Sequence, residues 1–442
     1  LSVTSPLGFS HLEAKGLAPA DVHSSMQEAG DQSMAPMSQG GKRKFIGRWR
    51  RMTLPNPPVP RAGMGFMYTP SGIVCIGGAG NNKHHFLGDI HLLDAEKEQS
   101  GWTPVAFEGV GPRIVSAAWI HYPPHHDSHT VSTTTSSSSS SHQGQSSSTP
   151  KPSICYAFGG SGGARHTHQL WAFDLQSRRW WQPKWQGTLH EGVWGMQGAA
   201  LAADRWLLFG GRSQAGRFVG ETTILSLPTQ TATVSGSDHD NDNDNDHGIF
   251  KAMQVTLTPN SLMPAPRVGH AMCAWEGTVI LAGGTSPKGH ALRDVYQWQE
   301  SSSSSSSSSP MEGGAKKTEA APLKGHWIAL PPLPEGRRGM SLTACSGVSG
   351  GSGGRGGGLI AHGGLNSDGK VVNTTWYLPS GQDEWKVVAI EAEEKEDDGK
   401  GEETVPTPRF GAGLVAVPSE NGRMQLYLFG GANKEGVLPD LW

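Results

Sequence analysis

The apolar residues of this chain fall in short runs separated by polar turns, and six of these runs end in a Gly-Gly pair. Short runs bounded by glycine favour many β-strands over helices. A pattern that returns six times indicates an internal repeat, and a repeat decides the fold before any single motif does. The pairs are Gly77-Gly78, Gly159-Gly160, Gly210-Gly211, Gly283-Gly284, Gly363-Gly364 and Gly430-Gly431.

The residues on either side of each Gly-Gly pair repeat as well. An Arg-x-[Gly/Val] motif precedes five of the pairs, and the third repeat has Val193-Trp194-Gly195 in its place. A short alternating segment follows, and then a tryptophan in most repeats. The motif arginines are Arg61, Arg113, Arg267, Arg337 and Arg409, and the tryptophans are Trp102, Trp180, Trp327 and Trp385.

From about residue 45 onward, these motifs resemble the kelch repeat family. The resemblance implies an all-β, six-bladed kelch β-propeller with four antiparallel strands, a to d, in each blade. The glycine pair permits positive φ where strand b ends, and the tryptophan of strand d is wide enough to fill the wedge between blades. Without five low-complexity insertions, about 48 residues remain per repeat, against roughly 50 for kelch.

The two ends of the chain predict how the ring closes. The sixth repeat contains strands a and b and only the start of strand c, at Asp440-Leu441-Trp442. Gly47 to Met52, with Trp49, resembles a strand d that precedes the first repeat. We therefore expect this N-terminal strand to complete blade six, which leaves no open sheet edge. The alternative is a seventh blade that follows residue 442.

Polar, low-complexity segments interrupt the repeats. We expect residues 1–44 to be disordered, and the insertions near 123–152, 228–249, 299–324, 346–358 and 391–406 are equally unable to bury a core. Because strands alternate in direction, the a–b and c–d connections lie on one face of the propeller. The b–c and d–a connections lie on the other, which we call the short-loop face. Four insertions fall on the first face, and one acidic stretch, Glu391 to Glu403, enters the short-loop face.

The short-loop face carries the candidate binding residues. Arginine suits bidentate contact with carboxylate or phosphate, so the sequence predicts a basic face that binds a partner. The alternative is that the repeat arginines hydrogen-bond to loop carbonyls of their own blade. The predicted partner-binding residues are Arg61, Arg113, Arg267, Arg337, Arg409, Lys83, Arg165, Arg212 and Lys288.

Composition narrows the functional classes. A net charge of −3 argues against bulk electrostatic binding to nucleic acid or anionic lipid, and no run of about 20 apolar residues predicts a membrane span. The four cysteines are Cys75, Cys155, Cys273 and Cys345; they lie in apolar strands without metal-site spacing, as expected in a reducing compartment. We expect a cytoplasmic or nuclear monomer without a cofactor.

The function predicted from this pattern is that of a non-catalytic protein–protein interaction module. The chain resembles the lone-propeller kelch adaptors of the host cell factor type, which implies an acidic or phosphorylated peptide segment as partner. The acidic stretch Glu391 to Glu403 would then compete for the same face. The alternative is an enzyme that acts on a sugar or small anion in the central channel. Related copper oxidases and iron-dependent specifier proteins have such activities, but their site motifs do not occur here.

Overall fold

A computed structural model of the protein describes twelve stretches of the chain. The predictions for residues 1–44, for nearly all of the five insertions, and for Lys83 and Arg165 lie outside these described residues. The stretches are 45–81, 86–122, 153–162, 166–187, 193–202, 204–227, 249–257, 261–301, 324–345, 357–391, 405–419 and 424–442.

The described residues form 27 strands and one short 3-10 helix, Glu98–Ser100. Second strands such as Gly72–Ile76 and Ile154–Phe158 are buried at all five positions, because each lies within its sheet between two neighbouring sheets. The outer strand Lys386–Ile390 alternates between exposed and partly buried positions. The apolar runs before the Gly-Gly pairs are therefore inner strands, and the alternating segments lie further out.

Five sheets of four or five strands are arranged as the blades of a β-propeller, and their strands are as follows. Blade I contains β2 (Gly65–Thr69), β3 (Gly72–Ile76), β4 (Ile90–Leu93) and β5 (Trp102–Pro104). Blade II contains β6 (Ala118–Tyr122), β7 (Ile154–Phe158), β8 (Leu170–Asp174) and β9 (Arg179–Trp181). Blade III contains β12 (Gln197–Ala202), β13 (Arg205–Phe209), β15 (Thr222–Ser226), β16 (Phe250–Gln254) and β10 (Trp185–Gly187). Blade IV contains β18 (Ala271–Trp275), β19 (Thr278–Ala282), β20 (Val295–Glu300), β21 (Lys324–Leu330) and β17 (Thr256–Leu257). Blade V contains β22 (Ser341–Cys345), β23 (Gly358–His362), β24 (Thr375–Pro379), β25 (Lys386–Ile390) and β1 (Phe45–Gly47).

Two smaller sheets complete the set. They are β11 (Val193–Trp194) with β14 (Arg212–Ser213), and β26 (Gly413–Pro418) with β27 (Met424–Phe429). Beyond β27, Leu441 forms a bridge with Phe429, and Met52 forms a bridge with Leu441 through an N–H to carbonyl bond of 2.8 Å. Trp49 is buried in the same cluster as Leu428.

The prediction of an all-β propeller is confirmed, but the number of full blades and the number of strands per blade both differ from the prediction. Five blades have four or five strands, where the sequence predicted six blades of four. In the sixth repeat, single bridges stand where the other repeats have their third and fourth strands. In blades III, IV and V a fifth strand runs parallel to the outermost strand, because a connecting segment or the N-terminal segment continues alongside it.

Aromatic side chains fill the wedges between sheets, as predicted. Trp102 on β5 is 2% exposed, and its ring centroid lies 5.6 Å from that of Phe429 on β27. Trp327 is equally buried and packs on Trp298 of its own blade and on Phe209 of blade III. The four cysteines lie in strands as free thiols. The core is thus distributed between neighbouring sheets and leaves a channel along the axis.

Candidate functional site

A ring of six residues with positive φ, one from each repeat, surrounds the channel where the first strands begin. The residues are Gly63, Ser116, Gly195, Gly269, Gly339 and Gly411, with φ from 54° to 67°. Backbone N–H groups donate to carbonyls around the ring, from Gly63 to Gly411 (2.9 Å), Ser116 to Gly63 (2.9 Å), Gly195 to Ser116 (2.9 Å), Gly339 to Gly269 (2.7 Å) and Gly411 to Gly339 (2.8 Å). The left-handed conformation favours glycine, and Ser116 is the exception.

A second set of backbone bonds fixes which residues are equivalent between repeats. The N–H of the second glycine of each Gly-Gly pair donates to a carbonyl in the next repeat. The acceptors are Ile114, Val193, Arg267, Arg337, Arg409 and Arg61, for donors Gly78, Gly160, Gly211, Gly284, Gly364 and Gly431, at 2.7 to 3.0 Å. The motif position of the second repeat is therefore Ile114, and the assignment of Arg113 is wrong by one residue. Ser116 occupies the position where the other repeats have glycine, which hid the register.

Three of the motif arginines form the same buried arrangement. The Nη1 and Nη2 of Arg61 donate to the two carboxylate oxygens of Asp89 at 2.7 and 2.8 Å. Arg267 binds Asp294 at 2.7 Å through both nitrogens, and Arg409 binds Asp440 at 2.9 and 2.7 Å. Each Nη1 also donates to the carbonyl of the first glycine of its own Gly-Gly pair. Each arginine thus ties the end of strand b to the start of strand c within one repeat.

Arg337 departs from this arrangement because Thr374 stands where the others have aspartate. Its Nη2 donates instead to Glu335, two residues earlier, and its Nη1 lies 3.3 Å from the carbonyl oxygen of Gly363. The guanidinium carbon also lies 4.3 Å from the ring centroid of Trp376. Burial lowers the pKa of Arg337, against the opposing effect of Glu335. The fourth arginine is therefore also held within its own blade.

These contacts change the interpretation of the predicted binding residues. Arg61, Arg267 and Arg337 are 0% exposed and Arg409 is 1% exposed, so a partner on the surface does not reach their guanidinium groups. The alternative stated above, that these arginines bond within their own blades, describes the geometry. Arg113 is exposed, but it precedes the motif position.

Exposed cations lie instead on the b–c loops of blades IV and V. Lys288 lies directly before the loop glycine Gly289, Lys370 lies directly after the loop glycine Gly369, and Arg293 lies two residues before strand c of blade IV. All three side chains are exposed, and none has a carboxylate within 4 Å among the described residues. The two loops are neighbours, because both lie against Gly336. A Cβ atom added to this glycine would contact Ala291 of one loop and Ser367 of the other. We call Lys288, Arg293 and Lys370 the cationic patch.

Arg212 lies in the short strand β14 and is partly buried. Its Nε donates to the Gly216 carbonyl at 3.2 Å, and its guanidinium carbon lies 5.6 Å from the Phe218 ring. Burial lowers the pKa of the neighbouring His166, and the charge of Arg212 lowers it further. Arg212 therefore has a structural role in its loop, and only part of its side chain is accessible to a binding partner.

The central channel contains a cavity of about 220 Å³ lined mainly by glycine, alanine and methionine. His270 is the one titratable side chain among the described lining residues, and no carboxylate lies beside it there. Burial lowers the pKa of His270 to about 3, and Arg267 contributes to the shift. The cavity therefore does not combine a carboxylate with a histidine for acid–base chemistry.

No group of three or more metal-ligating side chains occurs in the part of the chain that the structure describes. His84, His85, His125 and His126, adjacent in sequence, lie outside it. No helix in the described part is long and apolar enough to cross a membrane.

The pKa values of the paired aspartates follow from the same geometry. For Asp89, burial alone would raise the pKa, but hydrogen bonds from His91 and Arg61 outweigh it and lower the pKa. For Asp440, the bonds from Arg409 again outweigh burial and lower the pKa. Both carboxylates are therefore ionised partners of the buried arginines.

Comparison with protein-family models and with the curated proteins finds no match for this chain.

Proposed function

We propose that this β-propeller is a non-catalytic interaction module that binds an acidic or phosphorylated peptide segment through the cationic patch on its short-loop face. Propeller folds commonly serve as interaction scaffolds. The observation that supports the proposal is a contrast in charge pairing. The buried arginines are neutralised inside their blades, whereas Lys288, Arg293 and Lys370 are exposed without an ion pair among the described residues.

We further propose that the chain is a six-bladed kelch-type propeller, with the β26–β27 unit as its sixth blade. Both sets of backbone bonds in the channel wall include all six repeats, and β26 packs between β2 and β22. Met52 and Leu441 form single bridges at the places of the outer strands, and this supports the closure by the N-terminal segment. Glu98 of blade I contacts both Arg50 and Tyr427 and so joins the closing segment to its neighbours. A cysteine crosslink between residues 52 and 441 would test the closure.

An interaction module is proposed in preference to an enzyme that acts on a sugar or small anion. A substrate in the channel would meet the polar side chains of Ser116, Gln197, His270 and Ser341, in a cavity of about 220 Å³. Catalysis of proton transfer needs a positioned acid or base with a pKa near the working pH, and the pKa of His270 is about 3. The exposed cations offer a more direct route to an anionic partner.

The test is a binding titration with three fluorescein-labelled peptides of equal length. The first peptide alternates Glu and Ser, the second is the same peptide with its serines phosphorylated, and the third alternates Lys and Ser. We expect the phosphorylated peptide to bind best and the Lys peptide not to bind. The double variant Lys288→Glu/Lys370→Glu should weaken binding by more than tenfold, because each lost charge-assisted contact costs about 1.5–3 kcal/mol.

The matched control is Lys97→Glu/Arg178→Glu, which changes the net charge equally at two exposed c–d turns of the opposite face. It should leave the dissociation constant within about twofold, since charges beyond a Debye length of about 10 Å are screened at 0.1 M salt. Equal losses in the two double variants, or binding of the Lys peptide, would overturn the proposal.

A further inference from the structure

Blade V has a buried repeat arginine, Arg337, but no aspartate at the position that pairs with such an arginine elsewhere. Backbone bonds show that this position is equivalent between the repeats. The N–H of the first glycine of a Gly-Gly pair donates, at 3.1 to 3.2 Å, to the carbonyl of the residue directly before strand c. That residue is Asp89, Asp294 or Asp440 in three repeats and Thr374 in blade V.

The guanidinium group of Arg337 has hydrogen-bond donors that lack acceptors. Arg61 donates four hydrogen bonds, two of them to the carboxylate oxygens of Asp89. Arg337 donates only two among the described residues, to the Gly363 carbonyl and to Glu335. Its buried Nε has no partner there, whereas the Nε of each arginine with a bidentate aspartate donates to a carbonyl at 2.9 to 3.0 Å. An arginine side chain can only donate, so these groups need an external acceptor.

The charge of Arg337 is also less well compensated than that of the paired arginines. For Arg61, burial alone would lower the pKa, but hydrogen bonding to Asp89 and nearby negative charge outweigh burial and raise the pKa. For Arg337, burial prevails over the opposing effect of Glu335, and the pKa is lowered. A buried guanidinium with incomplete pairing therefore gains more from an added carboxylate than one that already has its partner.

Glu335 is a displaceable partner of this arginine. Its side chain is 43% exposed, so its carboxylate can exchange the contact with Arg337 for water. Ion pairs of exposed groups contribute little free energy, so little opposes this exchange. Arg337 itself is 0% exposed, and a ligand reaches it only when Glu335 moves away. The paired aspartates of blades I and IV are 40% and 33% exposed, which shows that a carboxylate at this position can be reached from solvent.

The backbone that carries Glu335 and Arg337 adjoins the cationic patch. The Arg337 N–H donates to the Leu292 carbonyl at 2.9 Å, and the Leu333 N–H donates to the Arg293 carbonyl at 2.8 Å. The segment between Leu333 and Arg337 therefore runs beside Arg293, which belongs to the patch. An acidic segment bound to the patch brings its carboxylates next to Glu335.

We infer that Arg337, Glu335 and Thr374 form a subsite for a carboxylate from outside the chain, which displaces Glu335 and takes the place that aspartate has in blades I and IV. We call these three residues the carboxylate subsite. The expected geometry is that of Arg61 with Asp89, whose two oxygens lie 2.7 and 2.8 Å from the guanidinium nitrogens. The inference rests on the proposed function for the source of the carboxylate, an acidic side chain of the segment bound at the cationic patch.

Acetate tests the carboxylate subsite without a peptide. The readout is the NMR signal of the Arg337 Nε–H group, assigned by its loss in Arg337→Met. In Glu335→Gln, this signal should shift and saturate as sodium acetate replaces sodium chloride at constant ionic strength. In Glu335→Gln/Thr374→Asp, the restored aspartate should occupy the subsite and weaken acetate binding by more than about tenfold. No shift in Glu335→Gln, or equal shifts in the two variants, would overturn the inference.

The unphosphorylated Glu/Ser peptide tests the source of the carboxylate. Glu335→Gln should bind it about threefold more tightly than the wild type, because the internal competitor is removed. The matched control Glu435→Gln removes one negative charge from an exposed b–c loop of the same face and should change the affinity by less than about twofold. In Arg337→Met, the added change Glu335→Gln should also have an effect below about twofold.

Equal tightening by Glu335→Gln and Glu435→Gln, or an undiminished effect of Glu335→Gln in Arg337→Met, would overturn the entry of a peptide carboxylate into the subsite. Saturable acetate binding by a protein that does not bind the peptide would overturn the proposed function alone. Failure of the proposed function and failure of the carboxylate subsite are therefore distinguishable.

Discussion

At the residue scale, the arginine–aspartate pairs explain why a repeat motif rich in charge produces a buried structure. Arg61, Arg267 and Arg409 are each inside the protein, where an unpaired charge would be very costly. Each has a bidentate carboxylate partner and a glycine carbonyl as a further acceptor. Where the arginine is replaced, by Ile114 and Val193, the aspartate is absent as well, because Gln169 and Glu221 occupy its position.

The three pairs differ in exposure, and this difference makes a stability prediction. The side chain of Asp440 is 5% exposed, whereas that of Asp89 is 40% exposed. Arg409→Met should therefore leave a buried, unpaired carboxylate and cost about 3–5 kcal/mol of unfolding free energy. Arg61→Met should cost clearly less, because water reaches Asp89. Urea denaturation at pH 7 measures the free energy of unfolding of both variants. Equal losses would contradict the conclusion that Asp440 is buried and Asp89 is accessible to water.

His270 provides a prediction for acid stability. Its pKa falls from 6.5 to about 3 on folding, so only the unfolded chain takes up its proton between these pH values. The stability that neutral, buried His270 permits is fully present above about pH 6.5. As the pH falls toward 3, this residue lowers the free energy of unfolding by about 1.4 kcal/mol per pH unit. Methionine occupies the equivalent position in three other repeats, at Met64, Met196 and Met340.

His270→Met should therefore fold and should lose less stability between pH 6 and pH 4.5 than the wild type. The measurement is urea denaturation across this range. His362, with a pKa of about 3 for the same reason of burial, still titrates in both proteins. An unchanged slope of stability with pH would show that His270 is not buried as a neutral side chain.

The sequence placed four motif arginines in the correct register and Arg113 one residue out of register, and it left open whether their side chains face a partner or their own blades. A sequence signal for the buried ion pairs was present. Aspartate stands directly before strand c in each repeat whose arginine forms a bidentate pair, at Asp89, Asp294 and Asp440. Paired loss of arginine and aspartate in the second and third repeats pointed the same way. Arg293 was not predicted as a binding residue, since it lies in no motif and its exposure depends on the loop above it.

At the element scale, the closing segment is the least regular part of the ring. Its contribution to the stability of the fold comes from Trp49, which is 9% exposed and packs with Leu428 and Trp442, and from one backbone hydrogen bond of Met52. Trp49→Ala should cost about 3–5 kcal/mol, as for a buried aromatic residue elsewhere. Ile46→Ala, three residues earlier and 56% exposed, should cost less than about 1 kcal/mol. Thermal unfolding of both variants tests the difference.

If the two substitutions had equal effects, the N-terminal segment would not be part of the core. The four main strands of blades I, II, IV and V were predictable, because the Gly-Gly pair marks the end of strand b and the tryptophan marks strand d, whereas strand d of blade III has no tryptophan. The fifth strands were not predictable. β10 and β17 have three and two residues and pair in parallel, so they leave no alternating pattern in the sequence.

At the scale of the whole molecule, charge is separated between an interior that is neutralised in pairs and a face with exposed cations. The chain has a net charge of −3, so attraction to an acidic partner arises from the local arrangement of the cationic patch. Binding of the phosphorylated peptide should weaken steeply from 0.05 to 0.5 M salt, as surface charges are screened. Salt-independent affinity in the same titration would contradict an electrostatic site.

The most direct test of the account measures the affinity of the phosphorylated Glu/Ser peptide for three proteins side by side. They are the wild type, the surface variant Lys288→Glu/Lys370→Glu, and the interior variant Arg61→Met, each first shown to be folded by circular dichroism. We predict a loss of more than tenfold for the surface variant and a change within about twofold for the interior variant. Loss of binding in Arg61→Met, with full affinity in the surface variant, would contradict the account.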